Sequence, residues 1–166
     1  MQNNNLVTRI ATGAVAGLVA TFILQKVRGW GQSMAPQAAP PMRKEPGEFM
    51  VEQAEQALPE QAQAKIPEQA ERAAARSLAY GYGSTFGALY SAFRPESGNL
   101  ILDGVALGVG TWAVGYLGWL PKLGLMPPVT EQNVTQVAGP IALHVLFGIV
   151  TVAAYGTLQR QILARV

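Results

Sequence analysis

The chain has 166 residues, 49% of them hydrophobic and 13% charged, with a formal net charge of +2, one histidine and no cysteine. A charge that small and that dispersed makes no nucleic-acid surface. The lack of cysteine excludes disulfides, thiolate metal sites and cysteine nucleophiles, and a single histidine cannot by itself build a multi-histidine haem or metal centre.

A soluble domain carries about 25% charged residues. The shortfall here is concentrated in four stretches, 10–25, 77–93, 104–120 and 132–159, which contain no Asp, Glu, Lys or Arg. A water-soluble helix needs a polar face, and most of these have none. They are long enough, or nearly so, to cross a hydrocarbon core of roughly 30 Å at 1.5 Å per residue. The expected fold is therefore all-α: one membrane domain, an integral bundle of four transmembrane helices spanning about 6–27, 77–93, 100–120 and 137–158. A polar, partly helical connector of about 46–76 is inserted between helices one and two.

Helix one carries Arg9 at its start, where a long side chain can snorkel to the headgroups. Lys26 and Arg28 mark its other end, with Trp30 just beyond as an interfacial aromatic. The run has a signal-like length, and Ser33-Met34-Ala35 loosely resembles a cleavage site. The basic residues directly after the apolar core, and Pro36 after the cut, favour a retained anchor.

Residues 31–47 read as loop because Pro36, Pro40, Pro41 and Pro46 deny them regular helical bonds. From Glu48 to Leu58, Met50, Ala54, Ala57 and Leu58 share one helical face and Glu48, Glu52 and Glu55 another, until Pro59 stops the run. A weaker helical run follows from Glu60 to Lys65. An acidic polar face binds anionic lipid poorly, so these helices are expected to pack on the bundle.

Helix two begins near Pro67 and turns apolar from Leu78 to Phe93, yet it holds Ser77, Ser84, Thr85 and Ser91 with Tyr80, Tyr82 and Tyr90. So polar a helix is expected to be enclosed by neighbours that accept its hydroxyls. A tight turn over residues 94–98 leads to helix three, with Asp103 in its first turn and Trp119 at its far end, and Pro121 terminates it. Helix four follows a polar loop, with Pro140 expected in its first turn and Arg160 and Arg165 closing the chain.

Four spans put both termini on one side. The terminal side has Arg9, Arg94, Arg160 and Arg165 at the membrane edge; the opposite side has Lys26, Arg28, Arg72, Arg76 and Lys122. The excess of basic residues puts the long connector and the 121–136 loop in the cytoplasm.

Three spans contain a glycine pair at helical spacing: Gly13 and Gly17, Gly83 and Gly87, Gly104 and Gly108. Glycine lets two helix backbones approach closely in lipid. These six are the expected helix-packing residues, serving packing within the chain before any dimer.

His144 and Asp103 are the ionisable groups inside the spans, which makes them functional candidates by default. Asp103 lies about 5 Å from one edge and His144 about 10 Å from the other. In a core of roughly 30 Å they are then about 15 Å apart in depth, too far for a direct pair. Asp103 shares a level with Arg9, Arg94 and Tyr155, which suits an ion pair; His144 shares one with Thr21, Ser84, Thr85 and Thr111, which suits a buried hydroxyl cluster.

No enzyme template fits. The histidine has no acidic partner at its depth, there is no phosphate-binding loop, and Gly81-Tyr82-Gly83 has no strand before it. No catalytic residue, cofactor or metal is expected. The reading is a small non-enzymatic membrane protein with a structural, helix-packing role. One alternative is an accessory subunit of a larger respiratory or photosynthetic complex; another is a proton or small-solute conductor using His144 or Asp103. The lipid bilayer is the expected partner, with other membrane subunits or a second copy beside it, and no nucleic acid.

The overall plan resembles the YagU-like inner-membrane proteins of unknown function. The residues that carry the resemblance are the Gly-rich first helix, Ala39-Pro40-Pro41-Met42-Arg43, and Tyr82-Gly83 with Gly87-Ala88-Leu89-Tyr90. It continues through Gly104, Gly108 and Trp112, the Leu120-Pro121-Lys122-Leu123-Gly124-Leu125 turn, and His144 with Gly148. The resemblance implies a multi-pass protein of a bacterial-type inner membrane and no particular chemistry.

Overall fold

The computed structural model describes residues 6–34, 36–94 and 98–164, and every regular element among them is helical. The elements are α1 (Leu6–Met34), a 3-10 turn (Pro36–Ala38), α2 (Pro46–Gln56), α3 (Glu60–Gln63) and α4 (Glu68–Phe93). They continue with α5 (Leu100–Ala113), a π-helical segment (Val114–Trp119), α6 (Leu120–Lys122), a 3-10 turn (Val129–Glu131) and α7 (Val134–Leu163). Residues 95–97 of the expected turn, and Arg165, lie outside the described residues.

Three helical segments are long and apolar enough to cross a membrane: Leu6–Gly31, Leu100–Lys122 and Val134–Ile162. The protein is thus an all-helical chain compatible with membrane insertion. At 26 residues α4 has the length, but its serines and tyrosines keep it less apolar than the other three.

Local chemistry sets the ends. α1 runs past the expected boundary at Val27 to Met34, because nothing before Pro36 stops it. Lys26 and Arg28 mark the end of the apolar run, not the end of the helix. Asn99 caps α5 by accepting from the backbone N–H groups of Ile101 and Leu102, each at 3.0 Å. α7 opens on a capping box between Asn133 and Gln136, which starts it before the apolar run. Pro140 consequently lies inside α7 rather than in its first turn, and is fully buried. Pro121 does not end the third span; it begins a last helical turn that closes at Lys122.

The backbones pack as two close antiparallel pairs, α1 with α4 and α5 with α7, joined where α1 meets α7. Ala16, Tyr90, Val152 and Tyr155 fill the centre of that junction. The backbones of α4 and α5 touch only briefly, and the two helices meet mainly through long side chains, such as the Tyr90 hydroxyl on Asp103 at 3.0 Å. Helix α4 therefore stands at the edge of the bundle. Leu78 and Leu89 are each 46% exposed and Thr85 is exposed, so the expected enclosure on all sides is not provided by this chain. Only α1 and α2 cover α4 extensively, because α5 pairs with α7 instead.

The connector folds back on the bundle. Arg43 donates its backbone N–H to the Leu125 carbonyl at 2.8 Å. Gly47 brings α2 against α4, where a side chain would meet the Ala75 carbonyl at 2.6 Å. Ion pairs Arg28–Glu45 and Lys44–Glu52 hold the start of α2, and Met42 and Phe49 pack inward. Met50 and Leu58, on the face expected to bury, remain exposed.

Candidate functional site

At mid-bundle the site residues are glycines. A Cβ on Gly13 or Gly17 would overlap the carbonyl oxygens of Gly87 and Gly83, respectively. On the other side, a Cβ on Gly87 would stand 2.8 Å from the Gly17 nitrogen. Gly104 and Gly108 do the same against α7, where a Cβ would lie 2.7 Å from the Ile149 Cα and 2.6 Å from the Val145 Cα. Gly148 completes this second crossing, with a Cβ there 2.6 Å from the Gly108 nitrogen. Without side chains at these points the helix axes come close enough for extensive van der Waals contact, the main attraction available between helices in lipid.

At the terminal-side edge a polar cluster draws in all four long helices. Asp103 is 6% exposed. It accepts from Arg94 Nη2 at 2.8 Å and from the Tyr90 hydroxyl at 3.0 Å. Its place in the first turn of α5 sets the carboxylate against the positive end of the helix. Arg9 of α1 donates from Nη2 to the carbonyls of Ser91 and Ala92, at 2.9 and 2.8 Å. Those carbonyls are among the last four of α4 and have no partner within their own helix. From α7, Gln159 donates to the Tyr155 hydroxyl at 2.7 Å, and Tyr155 meets Tyr90 edge to face at 5.7 Å.

The opposite edge is aromatic. Trp112 stacks on Tyr116 at 6.0 Å, and the Tyr116 ring meets His144 edge-on at 5.5 Å. Leu120, Leu125 and Met126 complete this core, and Met42 and Phe49 of the connector seal it. The π-helical segment falls here, with Gly115 and Gly118 inside it. Tyr116, inside the segment, and Leu120, just after it, are both buried in this core. The indole nitrogen of Trp112 is buried without a hydrogen-bond partner.

His144 Nδ1 donates to the Pro140 carbonyl of its own helix at 2.8 Å. The hydroxyls at its expected level are also satisfied within their own helices. Thr21 donates to the Gly17 carbonyl at 2.8 Å, Thr85 to Gly81 at 2.9 Å and Thr111 to Leu107 at 2.8 Å. Ser84 is half-buried against Gly17. No hydrogen bond joins these groups to His144. Asp103 lies nine residues from Trp112, about 13 Å along the helix, so it is not brought together with His144.

Neither the packing role of Gly148 nor the arginine cap was expected from the sequence. Gly148 sits one turn after His144, a spacing that could have marked it. Arg9 was legible as an edge residue, but its target carbonyls belong to a helix more than 80 positions away. Among the described residues no group of three or more His, Asp or Glu side chains could hold a metal ion. No protein-family model, curated protein or solved structure matches the chain.

Proposed function

We propose that the chain is a non-enzymatic, four-span membrane protein whose role is structural and exerted through helix packing. The observation that carries this is the α1–α4 crossing at Gly17 and Gly83. α1 is one of the apolar spans, and α4 follows it closely at the same depth from Gly83 to Ser91. A helix locked to that part of α1 shares its hydrocarbon environment, which supports a fourth span despite the lower hydropathy of α4. The polar groups within the spans support the non-enzymatic reading: Asp103 is engaged by Arg94 and Tyr90, and His144 by its own helix. The same proposal includes YagU-like kinship and a bacterial-type inner membrane, on the sequence plan described above.

A second reading, an accessory subunit of a larger membrane complex, is favoured by one feature. The outer face of α4 presents Leu78, Thr85 and Leu89 with Gly81, which has open space beside it. A helix of this polarity suits protein contact better than lipid. Purification from native membranes in a mild detergent separates the readings. A lone chain or small oligomer supports the first; a stable large assembly at fixed stoichiometry supports the second. Proton flux in liposomes that disappears on Asp103→Asn or His144→Gln would overturn both in favour of a conductor.

A further inference from the structure

A groove of about 450 Å³ runs along the seam of α1 and α7, on the outside of the bundle. Val15, Val19 and Ile23 form one wall, and Ile149, Ala153 and Ala154 the other. The small side chains of Ala153 and Ala154 lie at the middle of the α7 wall.

Three observations decide what it takes. First, both walls belong to apolar spans, so an apolar occupant replaces no ordered water. Second, on α7 the groove extends from Ile149 to Gln161, twelve residues or about 18 Å, and on α1 it reaches Ile23, fourteen residues or about 21 Å from Arg9. A lane of that length suits an extended acyl chain rather than a compact ligand. Third, the mouth is polar and cationic. Thr157 and Gln161 line it, and Arg160 is exposed next to them. Arg160 donates from Nε to the Gly156 carbonyl at 3.1 Å, which leaves its two terminal amino groups available. No described carboxylate pairs with it, whereas Arg94 at the same edge is paired to Asp103 and Arg9 caps α4.

We propose that this groove holds an acyl chain of an anionic phospholipid from the terminal-side leaflet, with the phosphate on Arg160. The guanidinium suits a phosphate because it offers paired donors and a fixed charge. The proposal rests on the membrane reading of α1 and α7, and does not depend on α4.

The test is native mass spectrometry of the full chain in mild detergent, titrated with phosphatidylglycerol or phosphatidylcholine. The wild type should bind one phosphatidylglycerol about tenfold more tightly than phosphatidylcholine. Ala153→Phe, which fills the groove, should weaken both lipids. Arg160→Gln should bring phosphatidylglycerol down to the phosphatidylcholine level with the thermal melting profile unchanged, and it keeps the test decisive if the Phe variant misfolds. Equal binding of the two lipids by the wild type, or phosphatidylglycerol binding indifferent to Arg160→Gln, would overturn the proposal while leaving the membrane reading intact. Recovery of the chain in the soluble fraction would overturn both.

Discussion

The carbonyl oxygen of Gly83 occupies the place that a side chain on residue 17 would take. α1 and α4 therefore meet backbone to backbone, and the same relationship recurs in the second pair, where the Gly104 carbonyl oxygen occupies the place of a side chain on residue 148. Gly17→Leu and Gly148→Leu should each destabilise the bundle by roughly 1–3 kcal/mol, as expected for overpacking a close contact. Gly81→Leu and Gly110→Leu face open space and should leave thermal stability in detergent nearly unchanged. Equal losses at all four positions would mean that glycine acts here through backbone flexibility rather than close approach.

The arginine cap gives a second test. Arg9→Ala removes two charge-assisted bonds to the end of α4 and should cost about 2 kcal/mol. Arg9→Lys keeps the charge but cannot reproduce the planar geometry, and should recover part of that loss. The check is differential scanning fluorimetry of the purified chain. An Ala variant as stable as wild type would show that the cap holds nothing together.

Asp103 is the buried half of an ion pair whose other half is largely exposed, with side-chain exposures of 6% and 59%. Screening at Arg94 limits the charge contribution, so the hydrogen-bonded Tyr90 should matter more. Asp103→Asn can still accept from Tyr90 and should be the milder change. Asp103→Leu strands the hydroxyl and should cost about 1–3 kcal/mol. Equal melting temperatures for both variants would count against this ranking.

His144 bonds to its own helix and meets Tyr116 edge-on. His144→Gln should remain within about 1 kcal/mol of wild type, since a single hydrogen bond in a membrane bundle is worth no more than that on average. Proton leak in reconstituted liposomes should be the same for both proteins. Loss of a genuine wild-type flux with stability preserved would contradict the structural role given to this residue.

Much of the architecture was legible because long apolar helices announce themselves by missing charges. The uncharged runs located the apolar spans, and Pro67 and the turn ending at Gly98 placed two helix starts closely. Pairing was not legible. A spacing of four between Gly13 and Gly17 says that a backbone approaches there, but not which one. Helix ends beyond the apolar runs were also hidden, as α1 shows, because a change from apolar to basic residues does not stop helical hydrogen bonding. The π-helical segment left no clear mark, since its glycines also suit an ordinary packing face. The hydroxyls near His144 were legible as a depth level only; each finds a carbonyl one turn back, which depth cannot reveal.

The central claim is that α4 crosses the membrane beside α1. It is tested most directly by placing single cysteines at residue 60 and residue 164 and labelling sealed, oriented vesicles with a membrane-impermeant thiol reagent. Four crossings predict that the two positions label from opposite sides. Labelling of both from the same side would leave three crossings and contradict the account.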